Sequence, residues 1–325
     1  MIRPCLAVSK FKADSTIKQV REQHLLDSGY QIEQSGNTVY VPLIRKIDNS
    51  IYFNFRTRKT GIERIIGDIS KREVDTEKLS YIRLGNSLIF KQKISSKTAR
   101  IFARMPGIEN IYYETGKTTG TMRKPSLRLV YGPGGNTKLM EYGIIYIMDL
   151  QKVMFSPGNI NTRSKMRSIN LSGSTVIDMF CGIGYFSLQV MKNSMPGRMI
   201  CCDINPDSTY YLKQNILANK ISYQVDVLTG DSRTVIPFII ADYIIMGNFN
   251  SPYFISAALI RSHPGTEISM HYLATVENVG RREDSIIAMA RKLGFLLTCK
   301  SSYTVKSVGP SYIHVNSIFK VVLAL

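Results

Sequence analysis

The densest chemistry in the chain lies in Asp178-Met-Phe-Cys-Gly-Ile-Gly-Tyr-Phe186, with Ser187 directly after it. An apolar run, Val176–Met179, leads into two glycines, Gly182 and Gly184, and Asp203 follows Gly182 by 21 residues (182 to 203). Glycines at a strand-to-turn junction let backbone approach a ligand. A carboxylate at the end of the next strand accepts hydrogen bonds from ribose hydroxyls. The dinucleotide fingerprint needs a third glycine, and Ser187 holds that place. A pyrophosphate cradle is therefore incomplete, which favours an adenosine ligand without phosphates, such as S-adenosylmethionine. The plain alternative is a glycine turn with a structural job only.

Those residues need a frame. From about Phe155 onward the pattern alternates between short apolar runs and amphipathic stretches. Val176–Met179, Arg198–Cys202, Tyr223–Thr229, Tyr243–Gly247 and Glu267–Leu273 read as strands. Tyr185–Met195, Pro206–Ala218, Pro252–Arg261 and Arg281–Leu293 read as helices. Leu296–Tyr303 and Ile313–Leu323 read as a closing strand pair. Repeated βα units predict an α/β fold: a mostly parallel sheet with helices on both faces and an antiparallel hairpin at one edge.

The earlier chain reads as two small α+β domains, giving divisions at 1–47, 48–155 and 156–325. In the first, Ala13–Leu26 has helical spacing, stopped by Ser28-Gly29, and Thr38–Ile44 alternates as a strand. Residues 48–59, basic from Arg56 to Lys59, read as a linker or loop. In the second, Tyr81–Lys91 is strand-like around Gly85-Asn86, and Ser95–Met105 is a helix capped by serine and ended by Pro106-Gly107. Ile108–Glu114, Leu127–Tyr131 and Gly143–Leu150 are further strands. The loop Gly116–Lys124, carrying Arg123, suits phosphate contacts.

Composition narrows the class of partner. Of 325 residues 44% are hydrophobic, enough for two or three cores, and the net charge is +18. So basic a chain points to nucleic acid. No apolar run approaches the ~20 residues that span a bilayer, and Met1–Lys10 lacks the apolar core of a secretion signal. The expectation is a cytoplasmic protein. Cys5, Cys181, Cys201, Cys202 and Cys299 form no CxxC pair and no cluster with histidine. They read as reduced and mostly buried, with no metal site.

The motifs together resemble a known family. Asp178 through Phe186 is similar to the cofactor loop of class I methyltransferase-fold enzymes that act on the purine 3′ of the tRNA anticodon. Asp203-Ile-Asn-Pro206 and Gly230-Asp-Ser-Arg233 resemble that family's second- and third-strand motifs. Val153-Met-Phe-Ser-Pro-Gly-Asn159 resembles the segment before its catalytic domain, and Val305-Lys-Ser-Val-Gly-Pro310 with His314 its closing hairpin. Cys5-Leu6 through Pro42 resembles the N-terminal domain of archaeal members. The likeness implies a Rossmann-like class I methyltransferase fold, S-adenosylmethionine as co-substrate, and tRNA as partner through its anticodon stem-loop and body.

Two branches share this architecture. One methylates guanosine N1. The other, the wybutosine-synthesising branch, moves the 3-amino-3-carboxypropyl group onto a ring carbon of a tricyclic guanine derivative in tRNA-Phe. The methylating branch carries Asn-Leu-Pro after the fourth strand, where this chain reads Met246-Gly-Asn-Phe-Asn-Ser251. That segment, Ser156-Pro-Gly-Asn159 and Met270-His-Tyr272 resemble the aminocarboxypropyl branch. The family's acidic residue after Ser-Pro-Gly-Asn is absent here, and Ser164 stands at its place. The loss bears hardest on N1 methylation, where the nitrogen must shed a proton to attack.

The resemblance implies these roles. Asp178, Gly182 and Gly184 are cofactor-binding residues of the loop, Asp203 binds ribose, and Asp231 with Ser232 meets adenine. Ser156 and Lys165 lie near the methionine end, and Gly247 and Asn248 line the wall beside the target base. Read from their charge and setting alone, Arg123, Arg163 and Arg167 are expected to contact RNA phosphate. No residue is singled out as a catalytic acid or base. The rival readings are guanosine N1 methylation and a non-catalytic tRNA-binding protein with a degenerate pocket.

Overall fold

Alternate residues of the central strands face two separate cores, and this sets the architecture. In the computed structural model, which describes residues 2–27, 30–54, 79–116, 118, 120–309 and 311–324, Val176, Met199 and Tyr243 pack with one apolar cluster. Their neighbours Ile177, Ile200 and Ile244 pack with another. A strand buried on both faces reads as continuous apolar sequence, as these do. The Ser28-Gly29 stop, the Arg56–Lys59 run and Pro310 lie outside the described residues.

The chain divides into two compact units, Met1–Lys78 and Leu79–Leu325. The first holds β1 (Ile2–Ser9), α1 (Ala13–Glu22), β2 (Glu33–Ser35), β3 (Thr38–Pro42) and β4 (Ile51–Asn54), in sheet order β2-β3-β1-β4. Helix α1 ends at Glu22, short of the expected Leu26, and His24 then turns the chain at a φ of 55°. Strand β4, within the stretch expected to be a linker, pairs antiparallel with β1 from Cys5↔Ile51 to Ile2↔Asn54. The division expected after residue 47 would therefore cut this sheet.

The second unit opens with a sheet β5-β6-β7-β8: β5 (Tyr81–Leu84), β6 (Ser87–Phe90), β7 (Asn110–Glu114) and β8 (Leu127–Tyr131). Helix α2 (Ser96–Phe102) joins the parallel pair β6 and β7. Its cap is Ser95, one of the two candidate serines at 95 and 96, whose hydroxyl accepts from the Thr98 amide at 3.0 Å. A two-strand ribbon follows, β9 (Asn136–Glu141) and β10 (Ile144–Asp149), turned by Tyr142 and Gly143, both at positive φ. Ile144, Tyr146 and Met148 of β10 are fully buried. Asn215 and Asn219 accept from the Ile147 and Ile145 amides at 2.6 and 2.9 Å. Both asparagines belong to the segment after residue 156, so the ribbon and that segment share one unit, with no division at 155.

The main sheet comprises β11 (Thr175–Asp178), β12 (Arg198–Asp203), β13 (Val225–Thr229), β14 (Ala241–Met246), β15 (Ser262–Ala274), β16 (Phe295–Val308) and β17 (Tyr312–Ala324). Its order is β13-β12-β11-β14-β15-β17-β16, parallel as far as β15 and antiparallel through β17 and β16. The accompanying helices are α3 (Ile160–Met166), α4 (Ser187–Ser194), α5 (Pro206–Ala218), α6 (Ser232–Val235), α7 (Ile255–Leu259) and α8 (Val279–Lys292). The expected Rossmann-like sheet with its antiparallel closing pair is present. Strand order reverses between β11 and β14, and in open α/β sheets a crevice opens at such a switch, beyond the carboxyl ends of the strands. Among the described residues no helix is long and apolar enough to cross a membrane.

Candidate donor and target-base cleft

A cavity of about 260 Å³ lies at that switch point, lined by the ends of β11, β12, β13 and β14 and by the loop bearing Arg123. Ordinary ligand clefts start at about 300 Å³, so it suits one small molecule. Asp203, Gly182, Asp231, Ser232, Ser156 and Arg123 all line it, with Gly247 and Asn248 on one wall.

The loop after β11 is held by hydrogen bonds to two carboxylates. Asp178 is fully buried and accepts from the Phe180 amide at 3.2 Å and from the Ser187 hydroxyl. Burial pushes its pKa up to about 7 against the pull of those bonds. Asp178 does not line the cleft; it braces the loop from below, which corrects its expected place among ligand contacts. Ser187, in place of a third glycine, is its hydroxyl partner. The second carboxylate, Asp203, accepts from the Gly182 amide at 2.8 Å and the Asn205 amide at 2.9 Å. Burial raises its pKa, and the two amides and Arg123 oppose that rise.

The two glycines serve different ends. Gly182 has φ +55°, and a Cβ there would sit 2.3 Å from the Tyr185 ring. Gly184 has φ +97°, and a Cβ would meet Leu188 at 2.6 Å and Leu212 at 2.8 Å. Gly182 lines the cleft; Gly184 instead permits close packing of α4 beside α5. Cys181, between them and β11, is buried, and burial drives its thiol well above the ordinary range. It stays protonated and is no nucleophile. Among the described residues no cluster of histidine, cysteine or carboxylate could hold a metal ion.

At the far side of Asp203, Asp231 caps α6 by accepting from the Arg233 amide at 3.0 Å. Its carboxylate also pairs with the Arg233 guanidinium at 2.5 Å, which lowers its pKa. That guanidinium lies 4.6 Å from the Phe254 ring centre. Ser232 is buried, and its hydroxyl has no partner within the protein. An unpartnered buried hydroxyl facing a cleft is an unmet hydrogen bond that a ligand edge can complete.

The opposite end differs from expectation. Arg163 is 1% exposed, bonded to Glu141 at 2.6 and 2.8 Å and to the Ser156 carbonyl at 2.9 Å. It fixes the cleft wall and is not exposed to RNA phosphate, which corrects the expected role. Lys165 lies outside the cleft, with its ammonium 3.2 Å from the Tyr303 ring centre. The cause is helical: positions 163 and 165 are about 200° apart around α3, so both cannot face the cleft. The ammonium beside Ser156 comes instead from Lys306, which donates to the Ser156 hydroxyl at 2.8 Å. Arg167 is exposed, 5.3 Å from the Tyr142 ring centre. Arg123 lines the cleft at φ +49°, its guanidinium 5.5 Å from the Phe249 ring centre.

Gly247 packs so closely on Phe186 that a Cβ would come within 2.8 Å of the ring. Asn248 and Ser251 close the following turn through Ser251 Oγ, 3.2 Å from the Asn248 amide. Behind this wall His271 stacks on Phe186 at 5.0 Å and shares a 2.8 Å hydrogen bond with His314. Burial and mutual proximity hold His271 well below the imidazole range. Burial, Lys306 and Arg123 lower His314 to about 4. Both are neutral supports behind the wall.

Comparison with known proteins matches this geometry. A family model described as the TRM5/TYW2 methyltransferase domain matches residues 137–293, and one described as the tRNA methyltransferase 5 N-terminal domain matches residues 5–51. The tRNA(Phe) (4-demethylwyosine(37)-C(7)) aminocarboxypropyltransferase of Methanocaldococcus jannaschii is 34% identical over 169 residues, covering 52% of this chain and 68% of that protein. The protein of the same name from Pyrococcus horikoshii is 28% identical over 272 residues, 79% of this chain and 96% of that one. The crystal structure of P. horikoshii TYW2 in complex with MeSAdo superposes with a TM-score of 0.71 at 25% identity, covering 80% of this chain and 99% of that one. With its switch-point cleft, its cofactor-loop motifs and these matches, the chain belongs to the TRM5/TYW2 family.

Proposed function

We propose that the chain transfers the 3-amino-3-carboxypropyl group of S-adenosylmethionine to a ring carbon of the tricyclic guanine derivative 3′ of the anticodon in tRNA-Phe. The observation that carries this reading is the P. horikoshii relative, named as such an aminocarboxypropyltransferase and aligned along 96% of its length. The chemistry of the cleft agrees. Asp203 is set to accept from ribose hydroxyls, and the Ser232 hydroxyl and the Asp231 region meet the adenine edge. No phosphate cradle is needed, and Ser187 uses the third glycine position for the Asp178 brace.

The target atom separates the two branches. Helix α3 carries Ser164 and no carboxylate. Attack by N1 needs a base before the bond forms, whereas an electron-rich ring carbon attacks with its π electrons and sheds a proton afterwards. In that step the ring carbon bonds to the γ-carbon of the donor and the γ-carbon–sulfur bond breaks. Its electrons stay on sulfur as 5′-methylthioadenosine leaves. Selection among the sulfonium's three carbons is a matter of alignment at ~3–3.5 Å, which Gly247, Asn248 and the aromatic wall would set.

The +18 charge supports tRNA as the partner, with the N-terminal unit and the exposed Arg167 as contacts. The setting we propose is the cytoplasm, where the five free cysteines stay reduced. Undermodified tRNA-Phe incubated with donor labelled on either the methyl or the carboxypropyl chain tests the reading. Carboxypropyl label should enter the RNA. Entry of methyl label instead would establish guanosine methylation.

A further inference from the structure

A second cavity, of about 230 Å³, opens beside the donor cleft and lies wholly within the second unit. Leu84, Ile89, Leu150 and Phe155 line it with apolar side chains, and all four are buried. Glu114, the last residue of β7, lines it too and is exposed. It forms no ion pair with another described residue. Met154 lines both cavities, so the two are neighbours. The loop between β7 and β8 divides them: Gly116 lines the second cavity and Arg123 the first.

A purine that reaches the donor must leave the stack, and its unpaired neighbours in the anticodon loop then lose a stacking partner. Protein can replace that partner. An unfilled apolar wall lacks dispersion contacts, and every base has a flat face to offer it. Glu114 restricts what enters. A carboxylate repels phosphate, but it accepts from the exocyclic amine of cytosine, adenine or guanine. In a chain of net charge +18, a carboxylate at this place favours a base edge over a backbone contact.

We infer that this cavity binds the nucleobase of a nucleotide flanking the target purine, with the apolar side chains against the ring and Glu114 on the exocyclic amine. This rests on tRNA being the substrate. Two cavities that share one lining residue fit two consecutive nucleotides of one strand, the target in the first and its neighbour in the second. The enzyme would then read a base on which it does no chemistry.

The test is a cycle of RNA and protein changes, read by filter binding with the full chain. The RNAs are undermodified tRNA-Phe and two forms of it, one lacking only the base 5′ of the target and one lacking only the base 3′ of it. Glu114→Ala removes the acceptor. Gly116→Phe adds bulk at the rim, where a Cβ meets only Ser126, at 3.7 Å, so a side chain has room to start. Each variant should weaken tRNA-Phe binding about 10-fold, within the range of one base contact. One of the two abasic RNAs should bind wild type about 10-fold more weakly, and the variants should lose nothing further with it. S-adenosylmethionine affinity by calorimetry should stay within about twofold in both variants, which also shows them folded. Equal losses on all three RNAs overturn the assignment, because the contact is then not with a flanking base. So does a Glu114→Ala protein that binds tRNA-Phe as tightly as wild type or more tightly, the result of a carboxylate that only repels the backbone. Loss of S-adenosylmethionine binding in both variants overturns it as well, since the cavity would then be a support of the donor cleft. A wild-type chain that does not bind tRNA-Phe would instead remove the tRNA reading, and this site with it.

Discussion

The two ends of the cleft are built on opposite plans. At the adenosine end the polar groups come from short sequence motifs, and its two carboxylates are satisfied locally while the Ser232 hydroxyl is left without a partner. Asp203 bonds to amides at positions 182 and 205, and Asp231 bonds to Arg233. At the tail end the groups come from far apart. Ser156 meets Lys306 across 150 residues, Arg163 meets Glu141 across 22, and Arg123 belongs to a separate loop. The first end is preorganised by local hydrogen bonds. The second gathers three cations, Arg123, Arg163 and Lys306, with Glu141 paired to Arg163.

The sharpest way to break this contrast is at Arg163. Removing it by Arg163→Met leaves Glu141 buried and unpaired, which costs about 3–5 kcal/mol of stability; urea unfolding measures it. A loss below about 1 kcal/mol would mean the pair is solvated and the wall is not built as described. Next is Asp203→Ala, which should weaken donor binding about 100-fold by removing two or more charge-assisted hydrogen bonds, with tRNA affinity unchanged in a filter-binding assay. Unchanged donor affinity would take Asp203 out of the site.

The Asp178 brace gives a pH test of intermediate size. Its folded pKa, about 7, lies above the ordinary 3.8. Between those values the folded state holds more protons than the unfolded one, so this residue's contribution falls as pH rises, by at most about 1.4 kcal/mol per unit. Asp178→Asn removes that slope, so its stability relative to wild type should improve from pH 4 to pH 7 and then level off. A constant difference would show that the carboxyl is not perturbed. The smallest effect is expected at Arg167, exposed outside the cleft. Arg167→Ala should lower tRNA affinity a few-fold and reduce the salt slope by about 1, leaving donor binding untouched.

The same contrast explains what could be read from sequence. The adenosine end was legible because its residues sit in contiguous motifs on alternating strands and helices, and helix Pro206–Ala218 has the expected bounds. Asp178 was misplaced because a strand-end carboxylate reads alike whether it faces ligand or loop; its burial depends on Ser187 and the packing beneath. Lys165 was expected at the methionine end from the family resemblance, while pairing of β16 with β17 brings the distant Lys306 to Ser156. Strand β9, Asn-Thr-Lys-Leu-Met-Glu, is polar and carried too little alternation to declare itself. Strand β4 was hidden in a stretch that composition alone marks as linker, because its partner β1 lies at the other end of the unit.

The account's central claim concerns which bond to sulfur breaks. A single turnover of the full chain with S-adenosylmethionine and undermodified tRNA-Phe, followed by mass spectrometry of the small-molecule product, reads this directly. The account predicts 5′-methylthioadenosine, formed one for one with modified tRNA. S-adenosylhomocysteine in its place would contradict it.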